Sequence, residues 1–186
     1  VIVETVQAFS NLDSILSVPD IEVMDFGLMD FTSAHHGILS RDVMQSPGQF
    51  INPLMQYYKS QFVAKVLESG KVPAHNVTVD VNSKDRAFED SAIARNNFGF
   101  LRMWSVFPPQ IDEIMRGMAS AYNALQLKTY SDILCKAQDS DWGPIGHDGK
   151  MEDRATYRLY WQTIKRASMI TGVDLPENAK ERFFRE

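Results

Sequence analysis

The sequence predicts a parallel α/β fold, and two patterns in its 186 residues carry that prediction. Four short apolar, β-branched runs are each followed by a stretch with helical periodicity. Two of those runs close on an acidic residue, where parallel α/β folds keep their chemistry. With 44% hydrophobic residues, the chain has apolar material for one sizeable core, or for a core and a small appendage.

The first unit is a strand over 1–4, then a helix with Phe9, Leu12, Ile15 and Leu16 inward, stopped before Pro19. The second strand covers 23–28. A long loop over 30–53 follows it, containing Gly37, Pro47 and Gly48, and then a helix of Leu54, Tyr57, Tyr58, Phe62 and Val66 that ends at Gly70. The third strand lies over 72–79, with a helix from Ser83, whose hydroxyl can cap it, to Asn97. The fourth covers 100–106 and is terminated by Pro108 and Pro109 before a helix through Ile111, Ile114 and Met118. Alternation then stops. A helix to about Gln138, a Gly- and Pro-rich loop over 140–150, a long helix from about Arg154 to Thr171 and a charged tail form a helical appendage. The division expected is 1–124 for the strand-bearing part and 125–186 for a helical lid.

Composition excludes several function classes. A net charge of −5 offers no basic excess to neutralise phosphates, so no nucleic acid partner is expected. No apolar run approaches the roughly 20 residues of a membrane span, and no charged-then-apolar leader opens the chain, so no membrane partner and a cytoplasmic location are expected. The single cysteine, Cys135, fits a reducing compartment and reads as a small packed hydrophobe on a helix. The chain opens on Val1-Ile2-Val3, apolar and β-branched, which reads as the middle of a strand; an additional N-terminal portion is therefore expected in the native protein.

The candidate chemistry sits at two strand ends, Glu4 after the first strand and Asp30 after the second. Neighbouring parallel strands lie about 4.8 Å apart, so carboxylates at adjacent ends can reach one cation from the same side. Oxygen-only ligation with remaining positions left to water and substrate suits Mg²⁺. Acids at strand ends also cap helices or face solvent, and that alternative stays open. Gly27 permits close approach of a ligand to the backbone. A doubly wound nucleotide-binding sheet would show a Gly-rich turn after its first strand, and Glu4-Thr5-Val6-Gln7 is not one.

Three segments are specific. Ile2-Val3-Glu4-Thr5-Val6 with Asn11-Leu12-Asp13-Ser14-Ile15 and Phe26-Gly27-Leu28-Met29-Asp30-Phe31 resembles the fifth-to-sixth strand signature of the HpcH/HpaI aldolase and citrate lyase β-subunit-like family. Met103-Trp104-Ser105-Val106-Phe107-Pro108-Pro109-Gln110-Ile111 resembles its last barrel strand, and Asp148-Gly149-Lys150-Met151-Glu152-Asp153 the turn of its C-terminal lid. The resemblance implies the C-terminal half of a TIM (β/α)8 barrel, about four βα units, plus a helical lid. It implies that Glu4 and Asp30 bind Mg²⁺, with Mn²⁺ as the alternative ion, and that backbone around Gly27, Leu28 and Met29 seats the carboxylate of a 2-oxo acid. Asp153, reaching from an adjacent subunit, would move the proton of the acyl-CoA. The implied reaction is reversible cleavage of a malyl-CoA-like 3-hydroxyacyl-CoA into an acyl-CoA and a 2-oxo acid such as glyoxylate, in a homo-oligomer that exchanges lids. A CoA-independent aldolase, a malyl-CoA thioesterase and an inactive half-barrel are the competing readings. The chain departs from the pattern at Val106-Phe107-Pro108, where relatives carry Ile-His-Pro, and at Pro73-Ala74-His75-Asn76-Val77, where an Asp-Gly pair is usual. The family's substrate-binding Arg lies on an early strand outside these residues, so the 186 residues alone are expected to be inactive.

Other residues read as structural. His35 and His36 are adjacent, point apart and shape the pocket mouth beside Asp30. His75 lies on a strand near that mouth and is a secondary candidate for substrate contact. Tyr157, Tyr160 and Trp161 fall at helical spacing and pack the lid helix. Arg154 and Arg158 follow Asp153 and could pair with CoA phosphates, although a solvated helix face accounts for them. No Gly-x-Ser-x-Gly nucleophile motif occurs.

Overall fold

Alternation along each strand decides which residues meet the helices. In the computed structural model, which describes residues 1–184, β1 (Ile2–Val3), β2 (Val23–Phe26), β3 (Val72–His75) and β4 (Arg102–Met103) form one parallel sheet in the order β1-β2-β3-β4. Val3, Met24, Phe26 and Met103 point to one side and join the core made with Phe62 and Val66 of α5 (Pro53–Glu68). The register pairs Ile2 with Asp25, Asp25 with Ala74 and Ala74 with Arg102, so these four form one row on the other face. Counting two residues further along each strand gives the next row on that face: Glu4, Gly27, Asn76 and Trp104.

The chain divides into two compact units, Val1–Ala121 and Tyr122–Glu186. In the first, the helix expected after the first strand is broken at Asn11 (φ −97°, ψ 14°) into α1 (Val6–Ser10) and α2 (Leu12–Leu16). The second strand is shorter than expected. It stops at Phe26, and α3 (Leu28–Ser33) starts two residues later, so Asp30 stands in the first turn of a helix rather than at a strand tip. The expected long loop contains α3, a 3₁₀ turn over Arg41–Met44 and α4 (Gly48–Ile51). Ser83 caps α6 (Lys84–Ile93) by accepting the Arg86 N–H at 3.3 Å, and the helix runs on as a π turn over Ala94–Phe98 to Gly99. A 3₁₀ turn over Pro108–Gln110 leads into α7 (Ile111–Ala119), which packs against α6.

The second unit is built on α8 (Ala124–Asp139), a hairpin of β5 (Ile145–His147) and β6 (Lys150–Glu152), α9 (Arg154–Ala167) and α10 (Glu177–Phe183). The hairpin lies where a loop was expected, and α10 where a tail was. Asp148 and Gly149 take φ of 46° and 75°, the left-handed pair of a two-residue hairpin turn. Its separate core gathers Leu127, Ile133, Leu134, Ile145, Tyr157 and Ile164. Among the described residues no helix is long and apolar enough to cross a membrane.

Candidate active site

The upper row of the sheet opens into a cavity. Its volume is about 330 Å³, and its lining is Glu4, Gly27, Leu28, Met29 and Asp30 on one side with Asn76, Val77, Val79, Trp104 and Val106 on the other. Of the residues singled out from sequence, Glu4, Gly27, Leu28, Met29 and Asp30 thus border one space. Asp153 belongs to the second unit and lines a hollow there with Asp141, Trp142, Gly143, Pro144 and Arg154.

Local chemistry explains why the two acids are available. The cap of α1 is Thr5, whose hydroxyl accepts the Ala8 N–H at 3.0 Å, so Glu4 is not needed for capping. Gly27 precedes α3 without a side-chain cap, and the amides of Leu28, Met29 and Asp30 belong to its first turn, which has no intrahelical acceptors. Among the described residues, no donor is bonded to either the Glu4 or the Asp30 carboxylate, and both residues are exposed. Gly27 is required by geometry: a Cβ there would stand 2.6 Å from the Glu4 Cβ and 2.9 Å from the Ile2 Cγ2. The glycine therefore lets β1 and β2 close together while the Gly27 N–H donates to the Val3 carbonyl at 2.9 Å.

The donor chemistry is that of a hard divalent cation: Glu4 and Asp30 line the cavity and no His or Cys does. Two carboxylates are the whole of that set, since among the described residues no group of three or more His, Cys, Asp or Glu is placed to hold a metal ion. Such a pair leaves coordination positions for water and for substrate oxygens, which Mg²⁺ prefers to an all-protein cage.

Behind the wall lies a buried polar network. The Asn76 amide donates to Gln49 Oε1 and to the Val77 carbonyl, both at 3.0 Å, and Lys59 Nζ donates to the same Gln49 oxygen at 2.9 Å. Lys59 also donates to His75 Nε2 at 2.7 Å, while His75 Nδ1–H donates to the Asn76 carbonyl at 2.9 Å. This assignment makes the imidazole neutral. Burial pushes the Lys59 amine well below its ordinary range, and burial with the neighbouring ammonium does the same to His75. Asp90, raised by burial, accepts from Ser46 at 2.5 Å and Thr78 at 2.7 Å. His75 is fully buried and stacks on Phe50, so it touches core rather than the cavity; the next residue along the chain, Asn76, is the one that lines it. His35 likewise leaves the mouth and packs between Phe31 and Tyr58, its Nδ1 2.6 Å from the Phe31 carbonyl. On the uncovered face one row lower, burial raises the Asp25 carboxyl, with the N-terminal ammonium and Arg102 opposing the shift.

Asp153 has a structural duty of its own. It caps α9, accepting the Ala155 N–H at 2.9 Å through Oδ1, while its own N–H donates to Thr156 Oγ1 at 3.0 Å in a capping box. The preceding Glu152 is buried and accepts the Tyr160 hydroxyl at 2.9 Å; burial, helped by that bond and by the Glu152 charge, pushes the phenol up to about 12. Tyr160 stacks on Tyr130, Tyr157 bonds the Gly143 carbonyl, and Trp161 packs on Phe183, so the aromatic cluster holds the second unit together. Asn76, Val77, Trp104 and Val106 lie in segments already distinctive in the sequence but were not assigned to the site there, and Val79 was not singled out. Counting strand register from the two acids would have found Asn76 and Trp104.

The same fold occurs in several solved structures. A citrate lyase from Burkholderia xenovorans LB400 is 40% identical, with a TM-score of 0.85, over 98% of this chain and 56% of its own. The CitE protein of Mycobacterium tuberculosis, solved with magnesium, acetoacetate and coenzyme A, shares the fold at 18% identity and a TM-score of 0.70, over 90% of this chain and 60% of its own. A citrate lyase beta subunit from M. tuberculosis, solved with oxaloacetate and magnesium, matches 63% of this chain and 50% of its own at 17% identity and a TM-score of 0.54. The chain thus spans little more than half the length of these proteins. No protein-family profile and no curated protein matches the sequence.

Proposed function

Because the chain belongs to the citrate lyase β-subunit-like family, we propose that its cavity is part of a Mg²⁺-dependent lyase site. The whole protein would cleave a malyl-CoA-like 3-hydroxyacyl-CoA, reversibly, into an acyl-CoA and a 2-oxo acid such as glyoxylate. One observation carries the reading: Glu4 and Asp30, on neighbouring strand–helix junctions, open into the same cavity. Mg²⁺, or Mn²⁺ in its place, supplies Lewis-acid polarisation of the 2-oxo carbonyl when bound.

The chain's residues divide the remaining work. Glu4 and Asp30 hold the ion through oxygen. The free amides of Leu28 and Met29, after Gly27, donate to the carboxylate of the oxo acid. In cleavage the C2–C3 bond of the thioester breaks, the C3 hydroxyl loses its proton to solvent as the carbonyl forms, and the electron pair passes to C2. Asp153 of a neighbouring copy, in a homo-oligomer that exchanges lids, protonates C2; in synthesis its carboxylate removes that proton. With Oδ1 occupied by the Ala155 N–H, Oδ2 is the oxygen left for this exchange.

The reading is tested first on the chain itself. Calorimetric titration with Mg²⁺ is expected to give one site that Glu4→Gln and Asp30→Asn each abolish; binding undisturbed by both would remove its basis. Assay of the complete protein on malyl-CoA is expected to yield glyoxylate and acetyl-CoA. Free CoA with intact malate would make it a thioesterase.

A further inference from the structure

A closed ring of hydrogen bonds stands behind the cavity wall, and one buried amine is its hub. Lys59 of α5 is fully buried and donates to Gln49 Oε1 of α4 and to His75 Nε2 of β3. From Gln49 the ring passes to the side chain of Asn76, and from His75 to the Asn76 main-chain carbonyl. The two arms therefore meet on one residue that borders the cavity. Each orientation is forced by chemistry. A carbonyl only accepts, so the Asn76 carbonyl requires the proton on His75 Nδ1 and leaves Nε2 to accept from Lys59. Gln49 turns its Nε2 to Ser46 at 3.1 Å and Asp90 at 3.4 Å, which leaves Oε1 for Lys59 and for the Asn76 amide. The Phe50 ring, 4.4 Å from Lys59 Nζ, closes another side of the amine.

The wall beyond the ring is held in the same way. The carbonyls of Asn76 and Val77 accept from His75 and from the Asn76 amide, and those of Thr78 and Asp80 accept from Gln110 Nε2 at 3.1 and 3.2 Å. The Thr78 hydroxyl donates to Asp90. Side chains thus take the place of a strand ladder after β3, and all of these partners come from residues 46–110. Hydrocarbon in the place of a buried charged or polar group is often no less stabilising. What a donor adds at Lys59 is a single arrangement of Asn76. On the functional reading above, we infer that Lys59 is a positioning residue of the lyase site: acting through Gln49 and His75, it fixes Asn76, the member of the upper row beside Gly27, against the cavity.

A double-mutant cycle in the complete protein tests this, with cleavage of malyl-CoA as the assay and circular dichroism as the check on folding. Lys59→Met and Asn76→Ala are each expected to lower kcat/KM by about tenfold or more, the scale of a misplaced contact. On the Asn76→Ala background, Lys59→Met is expected to cost less than about twofold more, because the amine then has nothing left to position. A role in stability alone would make the two losses multiply. Gln49→Met, which opens only one arm of the ring, goes through the same cycle and decides the question where Lys59→Met does not fold. Losses that multiply, or a folded Lys59→Met protein with wild-type kcat/KM, overturn the inference and leave the lyase reading standing. A wild-type protein that does not cleave malyl-CoA overturns the lyase reading, and the inference with it.

Discussion

At Gly27 one added carbon decides where a carboxylate stands. Its Cβ would meet the Glu4 Cβ at 2.6 Å, so Gly27→Ala must displace the end of β1. The expected cost is about 1–3 kcal/mol in urea denaturation, as for other overpacked sites, together with weaker Mg²⁺ binding by calorimetry. A second residue-scale prediction concerns His75. In the unfolded chain its imidazole takes up a proton near the ordinary value of 6.5, whereas the folded one, depressed by burial, does so only at lower pH. The unfolded state therefore binds more protons below about 6.5, and stability falls as pH falls through that window, by up to about 1.4 kcal/mol per pH unit. The wild-type urea midpoint should drop between pH 7.5 and 5.5 by more than that of His75→Asn, in which this titration is gone. That Glu4 and Asp30 border one cavity follows from a local pattern, an acid closing each of two apolar runs, although Asp30 stands in the first turn of α3 rather than at a strand end. The burial of His75 follows from no such pattern, because it depends on Lys59 and Phe50 reaching it from α5 and α4.

Elements show the same division between local and tertiary causes. Four parallel strands and the helices after them could be read from apolar periodicity, and Ser83 as a cap from its position. The break at Asn11 and the early end of the second strand could not, since apolar runs continue through both and packing sets the limits. The β5–β6 hairpin did have a sequence signal: Asp148-Gly149 is a favoured two-residue turn, obscured by the Gly-rich stretch around it. The cap of α9 gives the prediction of this scale. Asn caps a helix about as well as Asp, and Ala does not. Asp153→Asn should therefore keep the thermal midpoint while removing turnover in the complete protein, and Asp153→Ala should lose about 1 kcal/mol as well. Equal turnover in wild type and Asp153→Asn would reduce the residue to its capping duty. The α6–α7 contact is tight enough for another test: a Cβ on Gly117 would collide with Ser91 Oγ and stand 2.6 Å from the Phe88 carbonyl oxygen. Gly117→Ala is expected to lower the unfolding free energy measured in urea by about 1–3 kcal/mol.

At the scale of the molecule, the hydrophobic core of each unit is drawn, among the described residues, from that unit alone. Residues 122–186, expressed alone, are therefore expected to retain helical circular dichroism and a cooperative melt. A featureless, non-cooperative melt would mean that their order depends on the first unit. Among the described residues, the outer sides of β1 and β4 pair with no further strand. In a polypeptide limited to these 186 residues, backbone amides and carbonyls there are open to an extended peptide that comes alongside, and no proline stands in either strand. The average mass of that polypeptide from light scattering should therefore rise with its concentration, and a short peptide that docks as one more lane of the sheet should hold it at the single-chain value.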